Sequence, residues 1–207
     1  MLAESASPPS LAAARPAEAQ DLLLQRRYRL VRPWLNEASG VLLDFGCGNG
    51  SQTLLLRPHF GQVLGLDIDR KYLAAFLDAA RMLNSPRGVW GVQCDGSVLP
   101  CRDRSVDFLV SFEVLEHVRD DGAALAEMWR VLKPGGTLAL SVPNRWWLFE
   151  THGANLPLLR WNRVPFFSWL PRSLHDRWAR ARIYRRREIV RRLADVIAVR
   201  ACRIDHD

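Results

Sequence analysis

Val41-Leu42-Leu43-Asp44-Phe45-Gly46-Cys47-Gly48-Asn49-Gly50 is the stretch on which the reading of this chain turns. It runs from a short apolar strand, through an acid near its end, to glycines at every second position that lead into a helical stretch. Glycines there permit a tight turn and let a ligand approach the backbone closely. Many nucleotide-binding folds share a glycine-rich loop after a strand, so the details decide. The spacing is G-x-G-x-G, not the G-x-G-x-x-G that seats a pyrophosphate on a helix N-terminus. Asp44 stands just before the glycines, where a carboxylate repels a diphosphate and suits a cationic ligand.

A second apolar run, Val63-Leu64-Gly65-Leu66-Asp67, also ends in an acid. An acid about twenty residues on, at the next strand's tip, accepts both hydroxyls of a ribose. The alternative role, capping the following helix, fits Asp69 better than Asp67. Asp95-Gly96 closes a third run and reads either as a contact to an adenine amino group or as a plain turn.

Short β-rich runs continue along the chain at Val41–Phe45, Val63–Leu66, Val89–Gln93, Val106–Phe112 and Thr137–Val142. Ser51–Arg57, Arg70–Asn84, Val114–His117 and Asp121–Leu132 read as helices between them, and Asp21–Trp34 as a leading helix broken at Pro33. Lys133-Pro134-Gly135-Gly136 stops one helix and turns into the next strand. The alternation predicts an α/β fold: a doubly wound, mostly parallel Rossmann-like sheet, helices on both faces, ligands beyond the carboxyl ends of the strands. Residues 1–20 are Ala/Pro/Ser-rich and read as a disordered tail, and 21–207 as one domain. After Pro143 tryptophans, phenylalanines, prolines and arginines interleave, so 145–187 reads as an aromatic, arginine-rich cap rather than another βα unit.

The 207 residues suit one domain, and 48% hydrophobic with 25% charged residues supports a full core. No apolar run approaches the roughly 18 residues of a membrane span, and the first twenty residues lack the pattern of a secretory signal. Cys47, Cys94, Cys101 and Cys202 form no C-x-x-C pair or metal-ligand spacing, and read as reduced thiols of a cytoplasmic protein. The net charge of +7 is unevenly spread: residues 1–144 carry 15 basic and 16 acidic residues, residues 145–207 carry 14 arginines and 6 acids. Such a block suits an anionic partner or, more plainly, a solvated arginine face.

The set LLDFGCGNG, LGLDID, QCDGSVLPCRDRSVDFLVSFEVLEHV and LAEMWRVLKPGGTLALSVPN resembles the class I S-adenosylmethionine-dependent methyltransferases of the small-molecule type, across about residues 38–144. The resemblance implies S-adenosylmethionine as cofactor. It assigns Asp44, Gly46, Cys47, Gly48 and Gly50 to the methionine end, Asp67 to the ribose, Ile68, Asp95 and Gly96 to the adenine, and Ser111 and Phe112 to the surroundings of the methyl. A sulfonium carries its own leaving group, so methyl transfer needs mainly alignment and a dry pocket, with a base only where the acceptor is a hydroxyl. His117 is the first candidate base, although the Leu-Glu-His run also serves to hold a helix start, the role favoured here because relatives of varied substrate class share it. Glu113, Glu116 and His117 would share one helical face and offer a divalent-metal set as a minority reading, since ubiquinone-pathway relatives with a similar run include magnesium users.

The run Pro143–Gly153 leaves the fifth strand's tip and must pass over the site. There Glu150 and His152 are candidates to bind an acceptor hydroxyl, and Trp146 and Trp147 to wall an apolar or sugar ligand. The expected acceptor is a small or lipid-linked molecule. The arginine segment suits peripheral contact with an anionic membrane at its inner face, and nucleic acid ranks lower because no RNA-binding module is present. An RNA methyltransferase and a non-catalytic cofactor-binding relative are the rival readings. After a last helix at Arg187–Ala194, only thirteen residues remain, enough for one strand, Val196–Ile204, but not for a closing hairpin. The last strand of the sheet is therefore expected to be missing, leaving an unpaired edge.

S-adenosylhomocysteine should bind in calorimetry and NAD should not. Asp67→Ala should weaken that binding by roughly 1–3 kcal/mol through loss of the ribose hydrogen bonds. Tight NAD binding alone would overturn the assignment.

Overall fold

Five parallel strands carry the chain's apolar runs in the order β3-β2-β1-β4-β5. They are β1 (Val41–Phe45), β2 (Gln62–Asp67), β3 (Val89–Gln93), β4 (Val106–Phe112) and β5 (Leu132–Ser141). The computed structural model describes residues 22–35, 40–82, 88–143, 149–150, 154–156, 159–161, 164–165, 169 and 182–196. β1 lies in the middle, Val41 to Phe45 opposite Gln62 to Leu66 on one side and Leu42 to Asp44 opposite Phe108 to Val110 on the other. The chain builds outward to β3, then returns to place β4 against β1's free side. The order therefore reverses between β1 and β4, where such sheets open a crevice at their carboxyl ends.

The alternation of side chains sorts the core into two faces. Leu42, Val63, Phe108 and Val110 pack against Val31 and Leu35 of α1 (Leu22–Leu35) and Leu56 of α2 (Ser51–Leu56). Leu43, Phe45, Leu66 and Leu109 pack against Leu125, Met128 and Val131 of α4 (Asp121–Val131). Between β2 and β3 lies α3 (Arg70–Arg81), where the Asp69 side chain accepts the Lys71 amide at 2.8 Å, the capping role foreseen for it.

Three local expectations are corrected. Pro33 does not break the leading helix: α1 runs through it to Leu35, whose burial offsets the one backbone bond a proline removes. Val114–His117 is a turn, not a helix, because Glu113 takes a left-handed φ of 58° directly after β4. Lys133–Gly136 does not separate helix from strand. Val106 pairs with Leu132 and Phe108 with Thr137, so the run bulges out of the β4–β5 ladder.

No described helix bridges β3 to β4. Arg130 of α4 holds the crossing by donating to the Leu99 and Cys101 carbonyls at 3.0 and 2.9 Å. Beyond β5 come antiparallel pairs rather than a βα unit: β6 (Phe149–Glu150) with β9 (Val164–Pro165), enclosing β7 (Ala154–Leu156) with β8 (Leu159–Trp161). They are followed by α5 (Arg186–Val196). Val196 ends α5 rather than opening the expected strand Val196–Ile204, the rest of which lies outside the described residues, as do residues 1–20. No described helix is long and apolar enough to cross a membrane.

Candidate functional site

The glycine loop turns tightly over the end of β2. Gly46 and Cys47 both donate their amides to the Leu66 carbonyl, at 2.8 and 2.9 Å. Gly46 and Gly50 sit at φ 80° and 81°, and a Cβ there would fall 2.2 Å from a Val114 methyl and 2.0 Å from the Phe76 ring. Only glycine fits either place. Gly48 donates its amide to Asp67 Oδ2 at 2.8 Å, and Asp69 donates to Asp67 Oδ1 at 2.9 Å. Each carboxylate oxygen has a further lone pair, and Asp67 is only partly buried, so it can accept two ligand hydroxyls while bracing the loop.

Asp44 is buried at the end of β1 on the α2 face, where Thr53 donates its hydroxyl to Oδ2 at 2.6 Å. Burial pushes its carboxyl up to about 7, against the pull of the Thr53 hydrogen bond and the Arg27 charge. The Cys47 thiol is raised far from its ordinary value by burial and by the nearby Asp44 and Asp67 charges, which makes it an inert packing group. Ile68, 62% exposed, stands past Asp67 as an open apolar surface. Asp95 is exposed, and Ser97 donates both hydroxyl and amide to its Oδ1 at 2.6 and 3.0 Å, holding its carboxyl below the ordinary value. Those bonds make the turn foreseen as its plainer role. Gly96, at φ 83°, packs its backbone on Phe45, where a Cβ would fall 2.5 Å from the ring.

At the tip of β4, Ser111 is fully enclosed and Phe112 half-buried. Ser141 donates its hydroxyl to Glu113 Oε1 at 2.8 Å, tying the strained turn to β5. Glu116 is buried, and desolvation with the Glu113 charge pushes it up to about 9. His117 Nε2 lies 3.9 Å from Glu116 Oε1. The helical face imagined for Glu113, Glu116 and His117 does not exist. Among the described residues no cluster of three His, Cys, Asp or Glu side chains is arranged to hold a metal. Trp146, Trp147 and His152 lie outside the described residues, and for Glu150 only its place in β6 is described.

Two contributors escaped the sequence reading. Arg27 of α1 puts its guanidinium carbon 5.2 Å from the centre of the Phe112 ring. Its position, three residues after Leu24 and four before Val31 on the buried stripe of the helix, was the available signal. The second is a strap at residues 182–184. Arg182 donates to the Val118 and Arg119 carbonyls, both at 2.6 Å, and the Tyr184 hydroxyl donates to Leu115 O at 3.4 Å and Asp121 Oδ2 at 3.0 Å. Arg192 pairs with Asp121 at 2.8 Å. Part of the arginine block is thus internal structure, holding the turn that bears Glu116 and His117.

Residues 43–140 match the family model described as a methyltransferase domain. The domain is that of the class I S-adenosylmethionine-dependent methyltransferases. A probable S-adenosylmethionine-dependent methyltransferase of Mycolicibacterium smegmatis (strain ATCC 700084 / mc(2)155) is 33% identical over 132 residues, covering 63% of this chain and 49% of the relative. A ubiquinone biosynthesis O-methyltransferase of Bradyrhizobium sp. (strain ORS 278) is 32% identical over 164 residues, covering 75% and 58%. The chain therefore spans about half the length of the curated relatives it matches. Among solved structures, geranyl diphosphate C-methyltransferase from Streptomyces coelicolor A3(2) superposes with a TM-score of 0.62 at 21% identity, over 83% of this chain and 57% of that one, which shows the shared fold. The glycine loop braced by Asp67 fits S-adenosylmethionine in its chemistry, with lone pairs on Asp67 for a diol and a buried acid behind the loop.

The two raised acids of this methyltransferase domain give a signed pH dependence. Each folded-state value lies above the ordinary carboxylate range, so each group's stabilising contribution is full at low pH. It is lost as pH rises through about 7 for Asp44 and about 9 for Glu116. Thermal melts of the ligand-free protein should show Asp44→Asn gaining on the wild type between about pH 4 and 7. Glu116→Gln should continue to gain up to about pH 9. A variant-to-wild-type difference that stays flat across the range would refute the assignment.

Proposed function

We propose that this protein transfers a methyl group from S-adenosylmethionine to a small or lipid-linked acceptor by direct in-line displacement. The observation that carries the proposal is the Gly48–Asp67–Asp69 hydrogen-bond lock beside Gly46 and Gly50, in a chain matching the methyltransferase domain. When bound, the cofactor supplies an electrophilic methyl on a sulfonium.

The chain's own residues divide the remaining work. The loop amides and Asp44 take the amino-acid end, Asp67 takes the ribose hydroxyls, and Ile68, Asp95 and Gly96 border the base. Ser111 and Phe112 close the floor at the reacting end, and alignment there supplies most of the acceleration such a transfer requires. Where the acceptor is a hydroxyl, His117 is the candidate base for its proton, with Glu116 3.9 Å away to favour the charged imidazole once ionised. Trp146, Trp147, Glu150 and His152 are the sequence's candidates for contact with the acceptor. The ubiquinone-biosynthesis relative supports a small or lipid-like acceptor over a macromolecular one. The internal use of Arg182 and Arg192 removes part of the charge that an RNA reading needs.

Incubation of a cell extract with the protein and methyl-tritiated cofactor should place label in the organic-solvent phase, and Asp67→Ala should lower it when the cofactor is limiting. Label confined to RNA, or none from a protein that binds the cofactor, would overturn the proposal. We place the protein in the cytoplasm, with the exposed Arg185, Arg186, Arg187 and Arg191 facing an anionic membrane. It should sediment with phosphatidylglycerol vesicles and not with phosphatidylcholine vesicles at low salt, and equal, negligible sedimentation would leave only a solvated surface.

A further inference from the structure

The crossing from β3 to β4 is shaped by a side chain of α4 where other crossings have a helix. Arg130 commits all five N–H donors of its guanidinium. Nε and Nη2 grip the two carboxylate oxygens of Glu127, both at 2.7 Å. Nη1 reaches Cys101 O and Asp103 Oδ1 at 2.9 and 2.6 Å, and Nη2 reaches Leu99 O at 3.0 Å. Leu99 donates its amide to Glu127 Oε2 at 2.8 Å, so the pair clamps both backbone groups of that residue. Its side chain is buried in the cluster that includes Leu125 and Met128 of α4. The other end of the crossing is tied at Cys94, whose amide donates to the Asp67 carbonyl at 3.0 Å. Between these anchors stands Asp95, with Ser97 bound to its Oδ1. The Cys94 thiol donates to Val98 O at 3.3 Å and accepts the Gly96 amide at 3.4 Å, which joins the Asp95 turn to the residue before Leu99.

Resting on the methyltransferase reading above, we propose that Arg130 is a positioning residue for the cofactor's base. By clamping the crossing it presents Asp95 to the amino group of the adenine, and so sets selectivity for that group. Asp95 is exposed, and an exposed carboxylate gains little from a hydrogen bond unless its geometry is fixed before the ligand arrives. Cys94 fixes where the Asp95 turn begins, and the Arg130–Glu127 clamp fixes the direction in which it leaves. A plain ion pair explains the arrangement less well. Glu127 satisfies two of the five donors, and the other three go to the crossing itself. A lysine in this place offers a point charge without the planar fork, and cannot reach both carbonyls while gripping a carboxylate bidentately.

The test is calorimetry on the full chain with two ligands, S-adenosylhomocysteine and its analogue in which purine replaces adenine, so that the amino group alone is removed. The wild type should bind S-adenosylhomocysteine about tenfold more tightly than the analogue, as one hydrogen bond to a charged acceptor provides. Arg130→Met should bring the two ligands to within about twofold, chiefly by weakening S-adenosylhomocysteine, and Arg130→Lys should fall between. Asp95→Ala should erase the preference too, and the double variant should lose no more, because both changes act on one contact. A role confined to stability gives instead a lower melting temperature with the ratio intact. That ratio surviving in folded Arg130→Met would overturn the inference. Where circular dichroism shows Arg130→Met unfolded, Arg130→Lys decides, and an unchanged ratio there counts against the inference equally. A wild type that binds both ligands alike would overturn it while leaving the methyltransferase reading standing. Failure of the folded wild type to bind S-adenosylhomocysteine would strike that reading and this inference with it.

Discussion

The Asp67 carboxylate accepts the amides of Gly48 and Asp69 together, and the rest of the site depends on that bridge. One bond reaches into the glycine loop after β1, the other into the start of the segment that begins α3. Gly46, Gly48 and Gly50 of the loop sit at left-handed φ, a conformation that glycine adopts without strain. A charged acceptor at its centre, with the Leu66 carbonyl taking two further amides, turns it into a fixed surface. The reach of the ligand's ribose and amino-acid ends is then set by two neighbouring strands, whose register is itself fixed by side-chain alternation.

Around that bridge the molecule places acids where water is scarce. Asp44 and Glu116 are both almost inaccessible, and both favour the protonated form for the same reason. Glu116 has a carboxylate neighbour in Glu113, and Asp44 one in Asp67, so ionising all four at once is resisted by like charge as well as by burial. Arg27 is the cation that acts on two of them. The site is therefore an electrostatic unit, in which the charge of one group sets the proton affinity of the next.

Sequence carried the sheet and the cofactor half of the site well. The strands alternate or run apolar over lengths that admit little else, and the glycines of residues 46–50 announce a turn by their spacing. Three failures share another cause. Nothing local in Glu113-Val114-Leu115-Glu116-His117 forbids a helix, and the left-handed Glu113 is tied to Ser141 of β5, far along the chain. Pro33 looked like a stop, yet burial of Leu35 carries α1 past it. Arg182 reads as one arginine among many, and its partners lie more than sixty residues away. Local propensity is legible along the chain, whereas a bond between distant segments leaves no pattern at either end. The acceptor side is built from such bonds, and Trp146, Trp147 and His152 fall outside the described residues.

The strap at residues 182–184 bears on the order in which the two halves of the site can form. Strands β1 to β4 and the loop between Gly46 and Gly50 close through contacts made within the first 112 residues. The carbonyls at Leu115, Val118 and Arg119 meet donors that emerge from the ribosome more than sixty residues later. Long-range closures of this kind come late, because the loop entropy must be overcome before the contact rewards it. During synthesis the chain thus passes through a stage in which the glycine loop is assembled while the turn at residues 114–117 is still unsecured. A bound cofactor at that stage would stabilise the nascent domain without exposing its methyl group to a competent reaction partner.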